Sequence, residues 1–363
     1  MKTHLHLIKH NKPYFAEEEN LALKMTLESG YVAAGPLTIA FGNAFKEKFS
    51  DRPDISIAHC VTNGTSALFM ALYALEIKDG DEILVPTYTC SAVLNAVNLI
   101  GGKPILCDNG FQGANPDIDS IKNTINSKTK AIIITHTFGF PIDIDSFKIF
   151  GIPIIEDCCQ ALGAIYDGKY VGNRGDISVY SFYASKMIST GYGGMIITKN
   201  QNYANRIDDY LDFDGRVDYK PRFNFKLSDL QAAVGICQLN RFDYFIEKRK
   251  SNAIRYVQAL KDNALVSRVQ AIPGGISNNF RFILIFNSFE HLQLGKNHFE
   301  QHGISTILPI EPFELLHRYL NQSLSLFPHS EKHASTYLSI PIFPALLEDE
   351  LNRIEIALLT LPK

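Results

Sequence analysis

Short runs of β-branched and other apolar residues alternate with helical patterns between residues 55 and 200. The runs predicted as strands are Ile55–Ile57, Ile83–Val85, Ile105–Cys107, Ala131–Thr135, Ile154–Glu156, Ile177–Ser181 and Met195–Thr198. The helices predicted between them include Ser66–Leu75, Ala92–Ile100 and Asp117–Ile125. Each is long enough for a crossover between parallel strands. This alternation predicts an α/β domain built around a mostly parallel sheet.

The pattern changes at residue 228, where one long helical stretch is predicted to continue to about residue 261. We predict that this helix joins a large α/β domain, residues 1–240, to a small C-terminal α+β domain, residues 241–363. The elements predicted in the small domain are a strand at Phe280–Ile285, a helix at Glu290–His302, a short run at Ile304–Leu308 and a final helix at Leu347–Leu361. The region 311–328 is predicted to be a loop with one or two helical turns.

Composition and charge narrow the class of protein. The chain has 363 residues, of which 46% are hydrophobic and 20% charged, and its 35 basic and 38 acidic residues give a formal net charge of -3 without long runs of one sign. This balance argues against nucleic acid or an anionic membrane as a partner. No apolar run approaches the ~20 residues that span a bilayer, so we predict a cytoplasmic protein.

Histidine and cysteine give no sign of a metal site. His4, His6 and His10 lie in a start of the chain that we predict to be mobile, and no HExxH signature is present. The six cysteines lack the CxxC spacing of zinc sites and lie mostly in apolar stretches. We therefore predict buried free thiols and no metal.

The segment from Ile154 to Thr198 carries the most chemistry. An apolar strand delivers Glu156 and Asp157 at its carboxyl end, where ligands bind in sheets of this kind. A carboxylate such as Asp157 can hold a cofactor's ring nitrogen protonated, as pyridoxal 5′-phosphate (PLP) requires when it accepts electrons. The alternative is that Asp157 only caps a helix.

Lys186 follows Asp157 by 29 residues and stands between serines and a glycine-rich turn. A partly desolvated lysine loses its proton readily, which Schiff-base formation needs. The alternative is a solvated lysine in a serine-rich loop.

A turn with the sequence Thr62-Asn63-Gly64-Thr65-Ser66 lies between a predicted strand and a predicted helix. Backbone N–H groups and hydroxyls in such a turn bind phosphate, and Gly64 and Thr65 are the candidates. Ser181 offers a further hydroxyl. The alternative is an ordinary helix N-cap.

Several blocks of the chain resemble the DegT/DnrJ/EryC1/StrS family of sugar aminotransferases, in the family's order and spacing. The blocks are NGTSALFMAL, DEILVPTYTCSAVLNAV, THTFGFPIDID, EDCCQALGA, GDISVYSF, KMISTGYGGMIIT, NFKLSDLQAAVGICQL and FPHSEKHASTYLSIPIFPALLEDELNRI. The resemblance covers nearly the whole chain except about residues 262–325. It implies a fold-type I PLP-dependent transferase.

By this resemblance Lys186 would be the Schiff-base lysine, Asp157 the partner of the pyridine nitrogen and Gln160 a neighbour of the phenolic oxygen. Gly64, Thr65 and Ser181 would bind the phosphate. Asn224 would reach the phosphate of the neighbouring subunit's cofactor, which implies a homodimer with shared active sites.

The chain departs from the family pattern at three places. Cys90 stands where the family has the aromatic residue that stacks on the PLP ring, and whether Tyr88 substitutes is open. Tyr192, in Gly191-Tyr192-Gly193-Gly194, replaces a common Glu, and Lys226 replaces a common Arg.

The resemblance implies transamination from an amino donor, L-glutamate, to a keto-sugar linked to a nucleotide. Three alternatives are amination of a cyclitol or another ketone, a sugar dehydratase, whose relatives have histidine in place of the lysine, and an inactive regulatory protein. An oxidoreductase is set aside because no GxGxxG follows a strand. Candidate substrate contacts are the Gly35-Pro36 turn, Tyr183 and His317, and each could equally serve packing.

Overall fold

The computed structural model describes residues 6–111, 113–261, 263 and 266–362. Two described residues near the start of the chain, Ile8 and His10, are held by distant contacts. His4 lies outside the described residues, but Ile8 is fully buried and pairs with Ile304. His10 Nε2 forms a hydrogen bond of 2.9 Å with Ser339 Oγ. The prediction of a mobile start is therefore wrong for these residues, because contacts some 300 positions away hold them.

A seven-stranded sheet forms the centre of the large unit, with strand order β1-β9-β8-β5-β4-β2-β3. The strands are β1 Ile57–Val61, β2 Glu82–Pro86, β3 Lys103–Cys107, β4 Thr129–Thr135, β5 Ile154–Asp157, β8 Ile177–Ser181 and β9 Gly194–Thr198. All pairs are parallel except those of β9, which runs antiparallel to β1 and β8. The prediction of a mostly parallel sheet is confirmed. The first strand begins at Ile57 and not at Ile55 as predicted, because the polar His59 interrupts the apolar pattern of its second half.

Helices pack on both faces of this sheet. They are α1 Glu17–Ser29, α2 Pro36–Phe49, α3 Gly64–Ala74, α4 Ser91–Leu99, α5 Ile118–Thr124, α6 Gln201–Leu211 and α7 Asp229–Asn240. Helix α3 is buried along almost its whole length. It contacts β1, β8 and β9 together with α4 and α6, which explains its apolar sequence and fixes its first residues against the sheet.

The long helix predicted from 228 to 261 is two helices. Helix α7 ends at Asn240, and α8 spans Phe242–Leu260. The break falls at Arg241, whose φ of -98° and ψ of 5° leave the helical region. The break lets α7 pack against α1 and α2 while α8 packs against the C-terminal helix. The domain boundary that we predict at residue 240 falls beside this break.

The C-terminal unit is built on a second, antiparallel sheet of order β10-β12-β13. Its strands are β10 Val266–Arg268, β12 Phe282–Phe286 and β13 Tyr337–Ile340, and its helices after α8 are α9 Phe289–Gln301, α10 Leu316–Tyr319, α11 Pro328–Thr336 and α12 Glu348–Leu359. A third small sheet joins the two units through β6 Ile165–Tyr166, β7 Lys169–Tyr170 and β11 Gly275–Ile276.

Two predictions for this unit are corrected in detail. The run 304–308 forms isolated bridges rather than a strand. The 311–328 region is a loop as predicted, but it holds three short helical segments instead of one or two turns, because 3₁₀ turns at Pro312–Glu314 and Leu324–Leu326 accompany α10.

An apolar cluster fixes the C-terminal unit against the central sheet. Tyr88 and Phe138 from the loops after β2 and β4 pack there with Ile283, Leu315 and Tyr337. Among the described residues, no helix is both long and apolar enough to cross a membrane.

Candidate active site

A cavity of about 540 Å³ opens at the carboxyl ends of β5 and β8. Its volume lies in the range of small-molecule sites. The predicted residues that line it are Gly64, Thr65, Cys90, Asp157, Gln160, Ser181, Tyr183 and Lys186. A cavity of about 490 Å³ between the two units is lined by none of them. The first cavity is therefore the candidate active site.

The sheet itself brings Lys186 close to Asp157. Strand β5 runs parallel to β8, so Asp157 and Ser181 end at the same edge of the sheet. The chain then turns back into β9 through a loop whose base is closed by a hydrogen bond from Phe182 N to Gly193 O, 2.8 Å long. Lys186 lies in this loop, where its Nζ stands 5.4 Å from the centroid of the Phe280 ring.

Glu156 and Asp157 point to opposite sides of the sheet, as neighbouring strand residues do. Asp157 lines the cavity, and its Oδ1 accepts a hydrogen bond from Cys159 N at 2.9 Å. Glu156 is fully buried away from the cavity. Of the two carboxylates at this strand end, only Asp157 can therefore meet a ligand in the cavity.

Glu156 belongs to a buried network that includes the group of possible metal ligands found in the described part of the chain, His136, Glu156 and Cys158. Backbone N–H groups of Gly172, Arg174 and Gly175 donate to the Glu156 carboxylate. His136 Nε2 also lies 3.1 Å from that carboxylate. Burial raises the pKa of the Cys158 thiol far above its usual range. The hydrogen bonds account for the ligand atoms of His136 and Glu156, and they hold the 172–175 turn to β5.

A pair of histidines in the C-terminal unit is explained by helix packing. His298 on α9 and His302 just after its end stand one turn apart, an HxxxH spacing that our prediction of no metal signature among the histidines overlooked. His298 Nε2 bonds to Ala357 O at 2.9 Å, and His302 Nδ1 bonds to His298 O at 2.9 Å. The pair ties α9 to α12.

The first turn of α3 forms one end of the cavity. Asn63 Oδ1 accepts from Ser66 N at 2.8 Å. In the part of the chain that the structure describes, the N–H groups of Gly64 and Thr65 have no acceptor, which is the arrangement that binds an anion at a helix N-terminus. A Cβ on Gly64 would stand 3.1 Å from Ser181 Cβ, and one on Gly194 would stand 2.5 Å from Asn63 O. Glycine at both positions lets the turn approach the sheet.

Gln160 has a fixed amide orientation. Its Oε1 accepts a hydrogen bond from Phe138 N at 2.9 Å, and a backbone N–H can only donate. The Nε2 group is therefore left as a donor in a residue that lines the cavity.

Cys90 and Tyr88 have different surroundings. Cys90 lines the cavity and is exposed, and its Sγ accepts from Ala92 N at 3.4 Å. Tyr88 is fully buried in the apolar cluster between the two units, so it does not substitute for the missing ring-stacking aromatic. All six cysteines are free, but the expectation that they are buried is wrong for Cys90 and only partly right for Cys60, Cys159 and Cys237.

Three predicted residues lie outside the cavity lining. Gly35 is the N-cap of α2, and its N–H donates to Asp229 Oδ1 at 2.9 Å. His317 is fully buried and bonds to Thr87 and Glu331, both at 2.8 Å. Asn224 is exposed, and its Oδ1 accepts from Lys226 N at 3.3 Å.

Residues outside the predicted set also line the cavity. Cys159, Tyr192 and Phe225 line it. Each lies next to or near a predicted residue, so the same sequence blocks could have suggested them. Phe280, beneath Lys186, comes from the C-terminal unit and no pattern near it signals a site.

The donor set fits PLP. Free N–H groups and the Ser181 hydroxyl lie at one end of the cavity for a phosphate, Asp157 lies at a strand end for a ring nitrogen, and Lys186 supplies a primary amine. Because Gly64 has no side chain, the α3 turn can lie close to Ser181 at the end of the cavity where the phosphate would bind.

Comparisons with known proteins agree with this geometry. Residues 13–359 match the model of the DegT/DnrJ/EryC1/StrS aminotransferase family. GDP-perosamine synthase of Escherichia coli O157:H7 is 31% identical over 319 residues, which cover 85% of this chain and 86% of that protein.

Two solved structures share the fold. The aminotransferase TlmJ from Streptoalloteichus hindustanus has a TM-score of 0.90 at 24% identity, with 97% of each chain covered. An E. coli GDP-4-keto-6-deoxy-D-mannose-3-dehydratase with bound hydrated PLP has a TM-score of 0.84 at 22% identity, with 97% of this chain and 100% of that chain covered. The chain belongs to the DegT/DnrJ/EryC1/StrS aminotransferase family and is a PLP-dependent aminotransferase of fold type I.

Proposed function

We propose that this enzyme transfers the amino group of L-glutamate to a keto-sugar carried on a nucleotide. The observation that carries the proposal is the placement of Lys186, Asp157 and the α3 turn around one cavity. The similarity to GDP-perosamine synthase supports a nucleotide-linked sugar as the acceptor.

The chain's own groups would hold the cofactor at defined points. The N–H groups of Gly64 and Thr65 and the Ser181 hydroxyl would bind the phosphate. Asp157 would keep the ring nitrogen protonated, and the Nε2 group of Gln160 would donate to the phenolic oxygen. When bound, PLP supplies the electron sink that stabilises negative charge at the reacting carbon.

Lys186 would both attach the cofactor and move the proton. Its Nζ rests over the Phe280 ring, whose face attracts the protonated amine and positions it. The neutral amine is a general base, so Lys186 can take a proton from the donor carbon and return it on the other side of the reaction.

Aromatic side chains at the cavity offer a surface for the substrate. Tyr183 and Tyr192 both line the cavity, and their ring centroids are 5.4 Å apart. Tyr183 is 46% exposed, so its ring and hydroxyl are available to a sugar or a base. We assign Tyr183 to substrate binding, while Gly35 and His317 stay predictions.

A homodimer would complete the site. Asn224 is exposed and outside the cavity of its own chain, although its neighbour Phe225 lines that cavity. Asn224 is thus free to reach a cofactor phosphate in a second copy, as the family resemblance implies. Sedimentation should give a dimer, and Asn224→Ala should weaken PLP binding.

The proposed function is tested with purified enzyme that has been incubated with PLP. L-glutamate should convert the visible absorption of the lysine-bound cofactor into that of the pyridoxamine form, and a nucleotide-linked keto-sugar should restore it. Lys186→Ala should abolish the conversion, whereas the matched variant Lys248→Ala, at an exposed position on α8, should retain it. Amination of a free cyclitol ketone but of no nucleotide-linked sugar would overturn the acceptor assignment. A normal rate in Lys186→Ala would overturn the role of the lysine.

A further inference from the structure

A third, much smaller cavity lies between the Lys186 loop and the C-terminal unit. Its volume is about 30 Å³, and its lining includes His10, Ser185, Arg249, Phe280 and Arg281. None of the described residues that line it is Asp or Glu. Two guanidinium groups and an imidazole therefore meet in one place without an acidic group.

Both arginines lack the partners that a buried arginine usually has. Arg249 is 2% exposed, and its Nη1 donates to the carbonyl oxygens of Asn279 and Phe280 at 3.1 Å. The Nε atoms of Arg249 and Arg281 are buried without an acceptor. Within the described ranges of the chain, neither guanidinium forms an ion pair with a carboxylate. Arg281 instead lies over the rings of Phe280 and Phe138, at 5.3 and 5.9 Å from their centroids.

The positive charge of this cluster is left uncompensated. Burial and the charge of Arg281 lower the pKa of Arg249 to about 9, and burial lowers the pKa of Arg281 to about 10. Both groups are still protonated at neutral pH. Burial and the two arginines lower the pKa of His10 to about 3, so its imidazole is neutral. Desolvated like charges without a counter-charge are costly, and an anion between them removes much of that cost.

The size of the cavity selects the kind of anion. One water needs about 10–15 Å³ on this kind of measure, so about 30 Å³ exceeds a single water. It is far too small for an amino acid or a sugar. We propose that the cluster of His10, Arg249 and Arg281 is a binding site for one small inorganic anion of the halide class, such as chloride.

The site is close enough to the reactive amine to act on it. Ser185, in the cavity wall, precedes Lys186 in the chain. Lys186 Nζ and Arg281 Cζ stand 5.4 and 5.3 Å from the same Phe280 ring centroid, so they are at most about 11 Å apart. A bound anion lowers the positive potential around Lys186 and braces the loop that carries it. This inference does not depend on the identity of the amino acceptor.

Bromide is the probe, because it is a halide with anomalous scattering. Crystals of the PLP-saturated enzyme grown with sodium bromide should show an anomalous peak in contact with Arg249 and Arg281. In solution, the melting temperature should rise saturably by about 2 °C or more in bromide or chloride relative to sodium gluconate at equal ionic strength, since gluconate is too large to enter.

The variant Arg281→Met removes a guanidinium without breaking any hydrogen bond among the described residues. It should lose the halide-dependent part of the melting shift, whereas Arg52→Met, at an exposed ion pair with Asp54, should keep it. If Arg281→Met does not fold, His10→Gln and the wild-type bromide data decide instead. Equal melting temperatures of the wild type in bromide and gluconate, or bromide peaks at the surface with none at this cluster, would overturn the proposal.

Discussion

The buried carboxylate of Glu156 allows a sharp test of how the active-site strand is held. Its Oε1 accepts from the N–H groups of Arg174, at 2.6 Å, and Gly175. Its Oε2 accepts from Gly172 N at 2.7 Å and faces His136 Nε2 at 3.1 Å. His136 Nδ1 must be unprotonated because it accepts from Ile142 N at 3.1 Å, so Nε2 carries the proton and donates to Glu156.

Glu156→Gln keeps the shape of the side chain but replaces one carboxylate oxygen, which accepts hydrogen bonds, by an NH₂ group, which donates them. In either orientation the new amide NH₂ faces two N–H donors, which leaves two buried donors unsatisfied. Each unsatisfied group costs about 1–3 kcal/mol, so we expect a loss of about 2–6 kcal/mol in the free energy of unfolding. The measurement is the urea midpoint of the PLP-saturated enzyme, followed by circular dichroism and converted with the slope of the transition.

Glu300→Gln is the matched control, because Glu300 is exposed on α9 and the same chemical change there should stay within about 0.5 kcal/mol. An equal urea midpoint in wild type and Glu156→Gln would refute the account of the network. Burial opposes ionisation of Glu156, but the hydrogen bonds from His136, Gly175 and Gly172 outweigh it and lower its pKa. The ionised carboxylate therefore stabilises the fold fully at a pH above the pKa that Glu156 has in the unfolded chain. This stabilisation is lost as the pH falls through the pKa that Glu156 has in the folded protein. The difference between wild type and variant should therefore shrink in acid.

Three further predictions concern the cofactor and the pH dependence of stability. Cys90→Phe should tighten PLP binding about 2–10-fold, because a stacked aromatic pair contributes about 0.5–1.5 kcal/mol. The measurement is a fluorescence titration with PLP. Weaker binding by the variant would contradict a role of residue 90 at the cofactor ring. Ser181→Ala should weaken PLP binding about 10-fold or more through loss of a charge-assisted hydrogen bond to the phosphate, and an unchanged dissociation constant would remove Ser181 from the phosphate site. Burial lowers the pKa of His333 to about 4, so wild-type stability should fall as the pH drops from about 6.5 towards 4, where the unfolded chain binds the proton first. His333→Gln should flatten that part of the profile, and an unchanged slope would assign it to other groups.

The sequence alone determined the architecture of the large unit and named most of the predicted cofactor residues that line the cavity. Strands of a parallel sheet are buried on both faces, so their apolar runs stand out, and their crossover helices follow at regular intervals. Asp157, Ser181 and the α3 turn lie at strand ends, and the geometry of such sheets places those ends together. Lys186 lies near the same edge of the sheet because its loop connects the adjacent strands β8 and β9.

Other features depended on contacts between residues far apart in the chain. The break at Arg241 is invisible in the sequence because the apolar periodicity continues through it, and only the different packing partners of α7 and α8 decide it. The direction of each side chain at a strand end separated Asp157 from Glu156.

Tertiary structure also decided which candidates share the cavity. Tyr88 lies two residues before Cys90, but packing against the C-terminal unit buries it outside the cavity lining. His317 comes from the C-terminal unit itself and is buried against Thr87 of the large unit. The cluster of Arg249 and Arg281 has no sequence signature at all. A charge is exposed or buried, and paired or unpaired, only through the neighbours that the fold brings to it, so electrostatics of this kind is decided by the folded structure and not by local sequence.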